Sequence, residues 1–339
     1  MIKQALARIL VSRQRSHEPA VEFLEQKHVD LAKPFPNDSS CFYGSDAAGN
    51  AFITRLAFRG PRRPPECWLD VKPAGRPKLG LPTNPGPERD GFTLGNLSFV
   101  CDAPGKQWRI RYQGPLADEA GTSREGSVEL AFTGTHPIYD YAHSSDRRLI
   151  AAAIAREKWT RRFFLQLQDL GQTHYEQFGR LTGTVTFGDE KVELSLPAVR
   201  DHSFGSRDWT TWDRHYFISG VTADGHGFTA VAIRYDFCGP LYAGFTIAPD
   251  GTSDAIVECT RLEDLTVAQA WPQAGTIALK MRSGARHTVE FQRQGAFPYL
   301  MDGAYLMREG IGVYVFDGKP AWGLCEFGFK NEKYAHRIA

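Results

Sequence analysis

RHYFISGVTADGHGFTAVAIRYDFCGPLYAGFTIAPDG, residues 214–251, reads as three strands and two turns. RHYFISGVT (214–222), FTAVAIRY (228–235) and LYAGFTIA (241–248) are short runs of aromatic and β-branched residues, the composition that suits a pleated, half-buried surface. Asp-Gly at 224–225 and at 250–251 supplies the residue with positive φ that a tight turn requires. Strands this close in sequence form an antiparallel meander. The same dipeptide recurs at 90–91, 302–303 and 317–318, and NAFITRLAF (50–58), FTLGNLSFVC (92–101) and WRIRYQG (108–114) give the first half the same character. The expected class is therefore mainly β throughout.

At 339 residues the chain suits two domains of roughly 150 residues each. A hydrophobic content of 42% with 23% charged residues provides for packed cores rather than disorder. Forty basic and 39 acidic side chains leave a net charge of +1, which excludes the electrostatic footprint of a nucleic-acid partner. No apolar run reaches the ~18 residues of a membrane-spanning helix, so no integral membrane segment is expected. The first 17 residues carry Lys3, Arg8, Arg13 and Arg15 and no acid, with Ile2, Leu6, Ile9 and Leu10 at helical spacing. This reads as a short amphipathic helix docked on the first domain, with a mitochondrial presequence as the lesser alternative. Cys41, Cys67, Cys101, Cys238, Cys259 and Cys325 form no close pairs, a pattern of reduced thiols that points to the cytoplasm.

One long helix interrupts the strands. Asp146 is its expected N-cap, Leu149, Ile150, Ala153 and Ile154 form its apolar stripe, and Glu157 stands four residues before Arg161. It is expected to run to about Gln168, where Gly171 stops it, and to connect two domains at 1–175 and 176–339.

The chemistry concentrates in RDHSFGSRDW (200–209), two Arg-Asp pairs, a His and a Trp around one Gly. Charged residues are seldom buried unless paired, yet the flanking VELSLPAV and TTWDRHYFISGV alternate like strands with one face in a core. Asp201 and Asp208, seven apart, face opposite sides of a regular strand, and a bulge at Gly205 would bring both to one face. Desolvation of such a carboxyl raises its pKa and makes it a proton donor. Asp201 and His202 are then a candidate acid and base, with Asp208 and Glu326 as further catalytic candidates. Glu326 lies among apolar residues in WGLCEFGF, and its burial requires a partner such as Arg200 or Arg207. Trp209, Tyr216 and Tyr235 are candidate binding residues whose π faces shield a cation. Equally open is a structural reading, in which the Arg-Asp pairs pin two barrels together and the chemistry lies elsewhere.

Other constellations fail. The His residues show no HExxH and no close Cys-His spacing, so no metal is expected. GHGFTA at 225–230 fits GxGxxA but leads into a strand, not a helix. Neither a GxSxG elbow nor a phosphate loop is present.

FYGSDAAGNAFITRLAF (42–58), WRIRYQGPL (108–116), HYEQFGRLTGTVTF (174–187), RDHSFGSRDW and AWGLCEFGF, in that order, together resemble the AttH-like, carotenoid hydratase-like proteins, a broad group that includes the fungal survival-factor proteins. Phe204 departs from the Trp usual there. The resemblance implies two tandem lipocalin-like antiparallel β-barrels joined by a helical segment. It also implies either of two activities. One is a cofactor-independent hydratase, cyclase or isomerase acting on a hydrophobic polyene, terpenoid or polyketide held in a barrel cavity. The other is non-catalytic binding and carriage of a lipid or isoprenoid. A hydrophobic small molecule is the expected partner in both; no oligomeric state is legible.

Overall fold

The computed structural model describes residues 2–12, 19–266 and 271–334, so Arg13 and Arg15 of the basic N-terminal segment lie outside the described residues. The expected strands form, and every pairing among them is antiparallel. Two compact units result, and they are not consecutive halves of the chain. One comprises 19–139 with Gln172–Ser206; the other comprises the N-terminal helix, Asp140–Gly171 and the residues from Arg207 onward. The boundary expected at 175/176 falls inside the strand Gln172–Phe187, which pairs along its whole length with Glu190–Ser206.

In the first unit, Ser123–Gly134 pairs with both Gln107–Asp118 and Gln172–Phe187. This closes a ring through Glu190–Ser206, Pro36–Ser45, Ala51–Phe58, Glu66–Lys72 and Leu79–Gly80. Phe42, Phe58, Trp108, Phe132, Leu181 and Leu196 pack as its core.

The second unit holds a closed eight-stranded barrel: Trp212–Thr222, Gly227–Tyr235, Leu241–Ile247, Ser253–Cys259, Ala274–Met281, Arg286–Met301, Tyr305–Phe316 and Lys319–Lys330. Its last two hairpins turn on Asp302-Gly303 and Asp317-Gly318, with φ of 51° and 67°, and 48° and 81°, the doubly positive turn that matches strand twist. Tyr216, Phe228, Phe291, Tyr314, Phe316 and Phe327 pack together inside. Eight strands leave an interior just wide enough for such side chains.

The single long helix is instead two, Arg147–Arg156 and Arg161–Asp169. Asp146 caps the first as expected, its side chain accepting from the Arg148 N–H. Glu157 then turns extended (ψ 159°) and ends that helix, while the Trp159 indole donates to the Ile154 carbonyl at 2.9 Å. Thr160 caps the second helix through the Phe163 N–H, so Glu157 and Arg161 are not partners on one helix. The N-terminal helix Ile2–Ser12 buries Ala7 and Val11 in a cluster with Ala151 and Ile154. It therefore docks on these helices, which fall in the same compact unit as the closed barrel. Replacing Asp146→Ala leaves the Arg148 N–H without its acceptor and should lower the unfolding free energy by about 1 kcal/mol, read from the urea midpoint.

Candidate functional site

Pro36–Ser45 pairs with Glu190–Ser206 in unbroken register from Pro36↔Ser206 through Asn37↔Gly205 to Gly44↔Ala198. Gly205 has a φ of 138°, but no residue is inserted, so the expected bulge is absent. Strict alternation follows. Arg200, His202 and Phe204 point to one face; Asp201 and Ser203 point to the other. Asp201 and His202 therefore cannot act as acid and base on one molecule. Asp208 lies beyond the strand, where its carboxylate accepts from the Thr210 N–H at 3.0 Å and hydroxyl at 2.7 Å and caps the turn Trp209–Thr211.

The Arg200 face is a closed polar lattice. Arg200 donates to both Glu25 oxygens at 2.7 Å, to Gln177 Oε1 at 3.0 Å and to the Tyr175 hydroxyl at 3.2 Å. Its side chain is 0% exposed and that of Glu25 2%. Tyr175 reaches the Leu24 carbonyl at 2.9 Å, and His202 lies between Tyr175 (2.9 Å) and Asp38 (2.8 Å). Burial pushes the Tyr175 phenol well above its ordinary range, which keeps it a neutral donor. Glu25, Gln177, Tyr175, Leu24 and Asp38 all belong to the first unit, and this part of the motif acts as a clamp on the segment carrying Leu24 and Glu25.

On the opposite face, His174 Nε2 is 2.7 Å from Asp201 Oδ2 and 3.7 Å from Glu176 Oε1. Among the described residues these three form the one group whose ligand atoms all lie within 4.8 Å of one another, as a metal site requires.

The barrel unit carries a second constellation. His215 alternates with Tyr216, so Tyr216 enters the packed interior, where its hydroxyl donates to the Thr260 carbonyl at 2.9 Å, while His215 lies on the outward face. His215 Nδ1 meets the Tyr305 hydroxyl and Nε2 meets Glu326 Oε1, both in hydrogen bonds. The imidazole thus joins a phenol to a carboxylate. His215 stacks on Tyr305 with centroids 5.6 Å apart and meets Trp212 edge-on at 5.6 Å. Trp209 stacks on Tyr305 at 5.5 Å, Tyr235 packs against Trp212 at 5.3 Å, and the Arg207 guanidinium lies 5.2 Å from the Trp209 ring centre. Gly328, across from His215, makes the stack possible: a Cβ there would fall 2.4 Å from the His215 ring and 2.5 Å from Tyr305. The register pairing Arg308 with Phe327 and Ile311 with Leu324 sets a second buried carboxylate, Glu309, across from Glu326. Phe217, Met307, Ile311 and Leu324 give the same face an apolar floor with 7–8% residual exposure.

A family model described as "Domain of unknown function (DUF7064)" matches residues 24–330. The chain belongs to the DUF7064 family. No curated protein matches it. Among solved structures, a protein described as a "putative AttH" from Nitrosomonas europaea superposes with a TM-score of 0.60 at 13% identity, covering 93% of this chain and 97% of that one. CghA with Sch210972 gives 0.50 at 9% identity over 88% and 89%. Kievitone hydratase from Nectria haematococca gives 0.45 at 9% over 88% and 91%. The AttH likeness agrees with the fold implied by the sequence resemblance, two lipocalin-like barrels.

In this DUF7064 chain the barrel face gathers Glu326, Trp209, Tyr235 and Arg207 from the sequence-level candidates. Arg200, Asp201 and His202 belong to the first unit, Tyr216 to the barrel interior and Asp208 to a turn. The partner foreseen for Glu326 was an arginine; the structure supplies His215, and Arg200 is taken by Glu25. Sequence reasoning missed His215, Trp212, Tyr305 and Glu309. Alternation within WDRHYF held the signal, since placing the ligand inside the barrel favoured the inward Tyr216 and passed over the outward His215. Gly328→Ala should displace the His215 ring and cut any turnover at this face at least tenfold while the barrel stays folded, checked by rate measurement beside circular dichroism.

Proposed function

We propose that the protein is an acid/base hydratase, cyclase or isomerase for a hydrophobic polyene, terpenoid or polyketide, with Glu326, His215 and Tyr305 as its proton-transfer groups. The observation that carries this reading is one imidazole hydrogen-bonded to a carboxyl and a phenol, with Trp212 edge-on to the imidazole and Trp209 stacked on the phenol. In its acid form Glu326 donates a proton to an alkene carbon, and the resulting cation lies against the electron-rich faces of Trp209 and Trp212. For hydration, water adds to the cation and its surplus proton returns to the Glu326 carboxylate; for isomerisation or cyclisation, a C–H proton adjacent to the cation is lost instead. The Tyr305–His215 bonds hold the carboxyl in place and give the proton a route between the two ends. Phe217, Met307, Ile311 and Leu324 suit an apolar substrate. The aromatic side chains that pack together in the barrel favour this reading over carriage of a lipid inside it.

The test is organic extraction of the purified protein, mass spectrometry of what it carries, and return of that compound to fresh protein in water labelled with heavy oxygen. One labelled oxygen in the product, or an isomer of unchanged mass, supports the proposal. Recovery of the compound unaltered contradicts it.

A further inference from the structure

We infer that His174, Glu176 and Asp201 form a binding site for one divalent transition-metal ion. His174 and Glu176 are two residues apart on Gln172–Phe187 and so share a face of the sheet. The register of Glu190–Ser206 sets Asp201 directly across from Glu176, and Ser203 across from His174. Two positions on one strand and one on its neighbour make a three-point cradle fixed by backbone pairing.

The spacing suits one ion. Nε2 stands 2.7 Å from Asp201 Oδ2 and 3.7 Å from Glu176 Oε1, with all three ligand atoms within 4.8 Å. Ligand atoms about 2.1 Å from a shared first-row ion are themselves roughly 3–3.5 Å apart, so small side-chain rotations bring the three into its shell. One imidazole nitrogen with two carboxylate oxygens suits manganese, iron or zinc, whereas calcium and magnesium take oxygen alone and soft ions take thiolate. Glu176 is fully buried, while His174 keeps 28% and Asp201 17% of its side-chain surface exposed. The ion therefore has an entry path from the His174 side. Three protein ligands on one side leave coordination positions for water or an oxygen-bearing molecule. The sequence pattern HxE on one strand with an Asp on the next lacks the helical HExxH spacing, so no local motif encodes it.

The test is titration of the metal-free protein with Mn2+, followed by the loss of the free-ion electron paramagnetic resonance signal. Manganese is chosen because it avoids the six free thiols. One equivalent should bind per chain, and Zn2+ should displace it. His174→Ala and Asp201→Asn, each checked for folding by circular dichroism, should weaken binding by roughly 100-fold; if one misfolds, the other is read. Absence of saturable binding to the wild type, or wild-type affinity in a folded variant, overturns the site. No substrate enters this titration, so its outcome is independent of the reaction proposed for the barrel face.

Discussion

Glu25→Ala is expected to lower the unfolding free energy by about 3–5 kcal/mol. Glu25 holds both outer nitrogens of Arg200 at 2.7 Å, with neither side chain meaningfully exposed. Burial by itself would lower the Arg200 pKa, but Tyr175 and Glu25 hold it above its ordinary value, and an arginine does not escape by losing its proton. Without Glu25 the cation keeps the neutral Gln177 and Tyr175 as hydrogen-bond partners and the ring of Trp108, none of them charged, so the chain opens to hydrate it or bears an unpaired charge. Replacing both ends with apolar residues, Glu25→Leu with Arg200→Met, should cost much less than either single change, because the desolvation penalty leaves with the charges. Urea denaturation reads both variants. A loss below about 1 kcal/mol for Glu25→Ala would remove the clamp role.

Glu326→Gln is expected to slow turnover by about 10²–10⁴-fold with little change in melting temperature. The amide occupies the same volume and still hydrogen-bonds to His215, yet it neither donates nor accepts a proton during reaction. The neighbouring side chains on this face, Phe217 and Leu324, are untouched, so binding of an apolar compound should persist. Full activity in the folded variant would take Glu326 out of the reaction.

Strand and turn placement was legible in the sequence because it is local. Asp-Gly dipeptides and β-branched runs fix hairpins within a few residues, and the turns at 302–303 and 317–318 adopt the expected positive φ. The helix break at Glu157–Thr160 was hidden, because Trp159 and Thr160 end and restart a helix through hydrogen bonds that helical periodicity does not encode. Site composition was legible only in part. RDHSFGSRDW announced buried charge, but Arg200 finds its partner 175 residues away in Glu25, and no spacing rule reaches that far. Parity decided the rest: alternation separated Asp201 from His202, the unbroken register at Gly205 gave Asp201 and Asp208 no shared face, and the outward side of the barrel strand, which carries His215, was passed over for the interior that holds Tyr216.

Carbon protonation by Glu326 is tested most directly by running the reaction in deuterated water and locating the label in the product by mass spectrometry. The account predicts one deuterium on a former alkene carbon with the wild type and almost no labelled product with Glu326→Gln. Equal labelled product from both proteins, or product from the wild type with no carbon-bound deuterium, would contradict it.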